Sequence, residues 1–550
     1  MRWRHWTRLN DPRAGLRWRR AGLVARAFRP AGPAAQSSTP VRRGISGPRG
    51  WQALIPVLLC LAFGACATAR PPRAGATPSD RPPHALANRL TALLETTAAE
   101  PALWTVFVRS LDTGDVLFDH RGDRLVMPAS TMKIVTLAVS AERLGWNYRF
   151  ETRLLSAAPV VDGVLRGDLI VRGSGDPTIN SDARRAVPAF DAWASTLLEA
   201  GITAIDGRVI GDDDLVEDAA PGYGWSWDDL PYGYATPGGA LQHRDNVALL
   251  TVHPGSVASE PVVIDIDVEL LAIGAHVVNR VETVSPNGET ELTLKRMPDG
   301  DLEVLGTVPA NAAPVYRTAS VQNPTVFFVR DLKQALTARG INVSGDAVDL
   351  DEVDATVIDD DLRLLATHWS PPLSVIAHTL MGVSQNLYAE TLLRTLDQQR
   401  RPRTAAAGRG IIREVLASWG VDSSRVIVAD GSGLSRYNYV TARTLVDVLE
   451  RMHDDPRHAT PFRATLPVAA RSGTLETRLT GTAAAGNVHA KTGSMSNVSA
   501  LSGYVTSADG EALAFAVLAN NFAGAAGPIL GIIDRLVDEF ASSTRSDSGR

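Results

Sequence analysis

Residues 128 to 145 read PASTMKIVTLAVSAERLG. The apolar residues Ile134, Val135, Leu137, Ala138, Val139 and Leu144 recur at helical spacing, and Gly145 closes the run,. The spacing predicts a helix over 131–146 with Ser130 at its N-terminus. Ser130 and Lys133 are three residues apart, so on the first turn they share a face and a hydroxyl can meet an amine. That is the geometry of a nucleophile beside its base. Alone the pattern is weak, because with four lysines in the chain a chance match arises about a quarter of the time,. The plain alternative is a surface pair on a helix.

Two further motifs follow. Ser384-Gln385-Asn386 lies in a stretch, 371–398, whose apolar residues Leu373, Ile376, Leu380, Leu387 and Leu392 read as helical,. Lys491-Thr492-Gly493 leads into two late strands, Ala500–Thr506 and Ala512–Ala519, joined by Ala508-Asp509-Gly510,. The order S-x-x-K, S-x-N, K-T-G resembles the motif set of penicillin-binding proteins and class A β-lactamases. Lys133, Lys295, Lys333 and Lys491 are the only lysines. Two of them fall inside the motifs.

Composition narrows the remaining classes. The 550 residues are 45% hydrophobic and 21% charged, an ordinary globular balance for two or three domains,. Thirteen arginines against Asp11 give residues 1–70 a charge of +12, which leaves −17 of the total −5 on the rest. Such an acidic body does not suit nucleic acid, whose phosphates need clustered positive charge. Cys60 and Cys66 are the only cysteines, so a disulfide framework and a cysteine-ligated metal are excluded from the body,. No cofactor is implied.

The leader points to export. Ala53–Ala65 is apolar, follows Arg42, Arg43 and Arg49, and resembles a signal h-region too short to span a bilayer comfortably,. Gly64-Ala65-Cys66 resembles the end of a lipobox, with Phe63 in place of the usual aliphatic residue. A lipid tether through Cys66, a permanent anchor and a cleaved leader all remain open. The expected location is the periplasm or the outer side of the cytoplasmic membrane.

The expected organisation is a basic leader and signal over 1–70, a linker over 71–84 and a catalytic domain over 85–150 and 351–541. A β-rich insert spans 151–172 and 245–350, a nested small domain spans 173–244, and the tail 542–550 is expected to be disordered. Further helices are expected over 85–98, 404–419 and 526–541, and a hairpin from Trp104–Val108 to Val116–Phe118. The insert should carry strands at Val164–Val171, Ala248–Val252, Val262–Val268 and Glu289–Leu294.

Beyond the three motifs the chain resembles the penicillin-binding protein 4 type of D-alanyl-D-alanine carboxypeptidase/endopeptidase, the low-molecular-mass class C group, over nearly all of 85–540. The resemblance also rests on Gly173–Thr178 (GSGDPT), Gly224–Leu230 (GWSWDDL), Ser384–Glu390 (SQNLYAE), Asp430–Ser435 (DGSGLS) and Ser472–Leu475 (SGTL). The 254 residues from Ser130 to Ser384 match the group's habit of interrupting its body there. The fold implied is an α/β (α+β) penicillin-binding-protein/β-lactamase-like transpeptidase fold, interrupted by a β-rich insertion of one or two small domains. Gln385 departs from the Asp common at that place.

The resemblance also implies roles. Ser130 is the expected nucleophile, Lys133 its base, and Ser384 the group that passes the proton to the leaving amine. Asn386 holds the acyl-side amide and Lys133, Lys491 and Thr492 meet the substrate's carboxylate, and Gly493 lets the strand approach closely. Backbone amides of Ser130 and Ser494 form the oxyanion hole. Asp212 contacts the amino end of the peptide's diamino acid. Lys491 is expected to lower the pKa of Lys133 by like-charge repulsion. Peptidoglycan stem peptides are the expected substrate and β-lactams the expected covalent inhibitors.

Rival readings are weaker. The histidines form no H-E-x-x-H pattern, and Ser432 sits in no G-x-S-x-G elbow,. Trp225 and Trp227 could stack on sugars, but packing as loop anchors is favoured. A class A β-lactamase would carry an E-x-x-L-N loop, absent here. The alternative from another class is a non-catalytic peptidoglycan-binding or β-lactam-sensing protein, and the intact Ser130, Lys133 and Lys491 argue against it.

Overall fold

Strand Ala512–Asn520 shows why the chain folds as a layered body. Its Ala514, Ala516 and Leu518 join one buried cluster, while Leu513, Phe515, Val517 and Ala519 join another. Successive side chains of a strand point to opposite faces, so a strand apolar at every position must be covered on both sides. The structure, a computed structural model, describes residues 85–548 except 97–98, 100–101, 181–188, 218–219, 268–275 and 354–360. The leader, the h-region, both cysteines and the linker lie outside the described residues.

The central sheet is antiparallel, with strands in the order Val116–His120, Leu103–Ser110, Ala512–Asn520, Val498–Thr506 and His489–Met495. Helices Ala85–Leu94 and Gly527–Ser542 cover one face. Met132–Leu144, Leu373–Gly382, Asn386–Thr395 and Ala442–Asp454 pack on the other. The hairpin, the late strands and the helices at 131–146 and 404–419 fall where the sequence places them, the latter as Ala405–Ser418 capped by the Thr404 hydroxyl. The mixed α/β class expected from the motifs is the class observed.

Three expectations change. The helix expected over 371–398 is two helices broken at Val383–Gln385, where Ser384 adopts a left-handed φ of 63°. The tail expected to lack structure holds a 3-10 turn, Arg545–Ser548, in which Arg545 forms ion pairs with Asp115 and Glu511. The insert nests in the other sense. Strand Val209–Asp212 pairs in parallel with Leu169–Arg172 and with Ala347–Asp349, in a sheet completed by Glu151–Ser156 and Arg363–Trp369. Strands between Val247 and Ser320 instead form two separate three-stranded sheets. Parallel pairing over such separations leaves no local signal, so the alternating pattern marked the strands without naming their partners. The expected single strand Val164–Val171 is likewise two, Val164–Leu165 and Leu169–Arg172. Helices Ala189–Glu199 and Pro324–Ala338 complete the insert.

Candidate active site

Ser130 lies on a single 3-10 turn, Ala129–Thr131, that runs directly into helix Met132–Leu144. Ala129 has a left-handed φ of 47°, and close neighbours hold the turn in that shape,. Gly433 is needed for it: a Cβ there would sit 1.9 Å from the Ala129 carbonyl oxygen. On the other flank the edge strand His489–Met495 passes so near that a Cβ on Gly493 would sit 2.7 Å from the Pro128 carbonyl oxygen. Glycine at both positions lets two backbones clamp the serine turn.

Lys133 is fully buried behind this turn. Its Nζ donates to Ser130 Oγ at 2.9 Å, to Asn386 Oδ1 at 2.6 Å and to the Ser432 carbonyl at 2.7 Å. Burial pushes its pKa down to about 7, while the nearby Asp430 and Glu390 carboxylates oppose that shift,. A lysine held near neutrality can accept a proton at working pH, which an ordinary lysine cannot.

A second serine–lysine pair stands beside the first. Lys491 Nζ, also fully buried, donates to Ser384 Oγ at 2.9 Å and to the Thr492 carbonyl at 2.8 Å. Burial, then the charge of Lys133, holds its pKa well below that of a free lysine. The expected repulsion between the lysines is therefore present but falls on Lys491, while burial governs Lys133. The break before helix Asn386–Thr395 is what lets Ser384 turn toward Lys491 as Asn386 reaches Lys133. Thr492 Oγ1 donates to Thr474 Oγ1 at 2.8 Å, which ties the edge strand to the Ser472–Leu475 segment.

Two carboxylates hold the back wall. Glu390 Oε1, on a buried side chain, accepts from the amides of Gly431 at 3.0 Å and Ser432 at 2.8 Å, and burial raises its pKa. Asp430 accepts from the amides of Gly433 and Ser435, from Asn438 Nδ2, and from Trp225 Nε1 at 2.9 Å. Together they fix the Gly431–Gly433 turn whose Ser432 carbonyl receives Lys133. Ser432 is thus a turn residue, and Trp225 anchors its loop as expected, whereas Trp227 is 71% exposed.

The resulting cleft measures about 420 Å³, and Ser130, Ser384, Asn386, Ser494, Asp229, Tyr234 and Arg436 are among the residues that line it. Tyr234 comes from the insert, where its carbonyl accepts from Asn386 Nδ2 at 2.8 Å and its hydroxyl donates to Asp229 at 2.7 Å. Asp212 is not among the lining residues. Parallel pairing sets it opposite Arg172, whose Nε donates to its carboxylate, and it is buried. Asp229, Arg436, Glu390 and Asp430 are the residues the sequence reading left without a role. Asp229, Glu390 and Asp430 lie within segments already marked by the resemblance.

Sheet, helices and paired serine–lysine contacts are those of a serine peptidase built on the penicillin-recognising fold. The chain matches the model of the D-Ala-D-Ala carboxypeptidase 3 (S13) family over residues 86–535. It belongs to that family and is a serine-type D-Ala-D-Ala peptidase of the hydrolase class. It is 35% identical to a D-alanyl-D-alanine carboxypeptidase of Actinomadura sp. over 455 residues, covering 80% of this chain and 81% of the relative. It is 27% identical to D-alanyl-D-alanine carboxypeptidase DacB of Haemophilus influenzae, covering 75% and 84%. The crystal structure of penicillin binding protein 4 (dacB) from the same organism superposes with a TM-score of 0.73 at 26% identity, covering 82% of this chain and 99% of that one. Its complex with a β-lactam matches with a TM-score of 0.68 at 25% identity, covering 83% and 100%.

Proposed function

We propose that the protein hydrolyses D-Ala-D-Ala bonds of peptidoglycan stem peptides through an acyl-enzyme on Ser130. The observation that carries this reading is the fully buried Lys133 amine, 2.9 Å from Ser130 Oγ with a pKa near 7. Lys133 takes the proton as Ser130 attacks the carbonyl carbon of the first D-alanine. Backbone amides of Ser130 and Ser494 receive the developing oxyanion, a contribution of about 3 kcal/mol per donor in comparable sites. The C–N bond breaks as Ser384 delivers a proton to the departing amine. Water then hydrolyses the ester.

Lys491 and Thr492 receive the carboxylate of the leaving residue. Burial, then the charge of Lys133, disfavours charge on Lys491, and an arriving carboxylate restores it, so binding and ionisation are coupled,. That carboxylate is present both on a terminal D-alanine and at the D-centre of a diamino-acid cross-link, so carboxypeptidase and endopeptidase action can use one subsite. Asp229, which lines the cleft, takes the amino end of the diamino acid in place of the expected Asp212. A penicillin enters as a D-Ala-D-Ala mimic, and its acyl group stays on Ser130.

Such a substrate lies outside the cytoplasm, in keeping with the signal-like leader. No helix among the described residues is long and apolar enough to cross a membrane. Labelled penicillin should form an adduct that maps to Ser130 and is absent from Ser130→Ala, and digests of purified sacculi should release D-alanine or cleaved cross-links. An adduct that survives Ser130→Ala overturns the assignment.

A further inference from the structure

We propose that a second cleft, where the insert meets the catalytic body, binds a phosphate group. This cleft has a volume of about 490 Å³ and shares no lining residue with the Ser130 cleft. Arg149, Arg153, Arg172, Arg401 and Arg403 line it, with Trp369 alongside. Arg153 and Arg172 are direct cross-strand partners in the antiparallel pair of the insert sheet. Like charges placed opposite one another destabilise a sheet unless something between them compensates.

The compensation inside the protein is incomplete. Glu151 pairs with Arg153 at 2.8 Å, and Asp212 pairs with Arg172. Arg149 donates to the Ser370 carbonyl, and Arg401 to the carbonyls of Gln398 and Arg400, so both remain bound only to neutral acceptors. Arg403 is only 7% exposed, and its Nε and Nη1 meet no acceptor. The Tyr148 hydroxyl is its one side-chain partner among the described residues, and burial raises that phenol's pKa and so keeps it uncharged, while Glu217 is engaged by Arg394 and the Ala405 amide. Three of the five guanidiniums therefore have no carboxylate partner among the described residues.

A buried guanidinium with unmet N–H groups is costly, and the cost is offset when an anion supplies the acceptors. Guanidinium forks match the oxygens of a phosphate in bidentate fashion, and several converging on one cleft suit a multi-oxygen anion more than a lone halide. The phosphate comes either on a soluble monoester or on a lipid headgroup, for which the 54% exposed Trp369 offers an apolar flank,.

The test titrates the full-length protein at low ionic strength with inorganic phosphate and with glycerol 3-phosphate, by calorimetry. Parallel sedimentation uses vesicles of phosphatidylglycerol in phosphatidylcholine. Saturable binding is expected, weakened about tenfold in Arg403→Met and in Arg401→Gln, and unchanged in Lys491→Ala. Arg401 is exposed, so its variant folds even if the Arg403 variant does not, and penicillin acylation should be unchanged in it. Binding of glycerol 3-phosphate without vesicle retention assigns a soluble ligand, and retention assigns a headgroup. The proposal is overturned by no saturable binding to the wild type, by loss in Lys491→Ala with retention in the arginine variants, or by tighter binding of acetate or citrate than of phosphate.

Discussion

Two serine–lysine pairs share one cleft with the same 2.9 Å contact, yet their surroundings differ. Lys133 has three oxygen acceptors and two carboxylates within electrostatic reach, whereas Lys491 has a hydroxyl, one carbonyl and the positive charge of Lys133. Burial lowers both pKa values, and the acids stop the fall of Lys133 near 7. Equal geometry therefore does not imply equal chemistry. The pair near the acids can therefore exchange a proton around neutrality, and in the function proposed above the pair without them gains its charge as the substrate's carboxylate arrives,.

The largest expected effect separates the two serines. Ser130→Ala should abolish the penicillin adduct and lower turnover by at least about 10⁴-fold, the scale seen when a nucleophile is removed. Ser384→Ala should slow acylation by about 10²-fold, as for loss of one proton-transfer group, while Ser130 is still labelled. Equal losses, read by stopped-flow acylation, would mean the two pairs act as one unit.

Next comes Lys491→Ala, which should lower kcat/KM by about 10–100-fold on peptides with a free terminal carboxylate, the value of one charge-assisted contact. An amidated analogue should be nearly unaffected, and an equal loss on both would remove the carboxylate from the role of Lys491.

Glu390→Gln sharpens the contrast through pH. Glu390 favours the charged form of Lys133, so removing its negative charge should lower the Lys133 pKa and move the rising limb of acylation to lower pH,. A limb that stays in place or moves upward would show that Glu390 acts only by holding the Gly431 and Ser432 amides.

The smallest effect concerns the insert. Trp225→Phe deletes one hydrogen bond to Asp430 and should cost about 1 kcal/mol of stability by denaturant unfolding, with the acylation profile kept,. A large loss of acylation instead would make this anchor part of the catalytic wall.

The sequence disclosed these regions unequally. Ser130, Lys133, Ser384, Asn386 and Lys491 were legible because motif spacing and the scarcity of lysine single them out, and the structure brings all five together. The helix break at Ser384 was not legible, since apolar residues on both sides keep helical periodicity and the left-handed residue is a serine rather than a glycine. The insert's nesting depends on parallel pairing between distant strands, and periodicity names no partner,. The same pairing sets Asp212 opposite Arg172 and outside the residues that line the cleft, whereas Asp229, on an irregular loop, is among them.

The central claim is that Lys133 is the base, and the pH dependence of pre-steady-state acylation from pH 5 to 10 tests it most directly. With a pKa near 7, Lys133 is protonated and unable to accept a proton in the acid range, and becomes competent as it loses its charge,. Acylation of wild type should rise through about pH 7 along a single ionisation and then level off, and Lys133→Arg, charged at every working pH, should stay inactive throughout,. A rate flat across the range, or an active Lys133→Arg enzyme, would contradict the account.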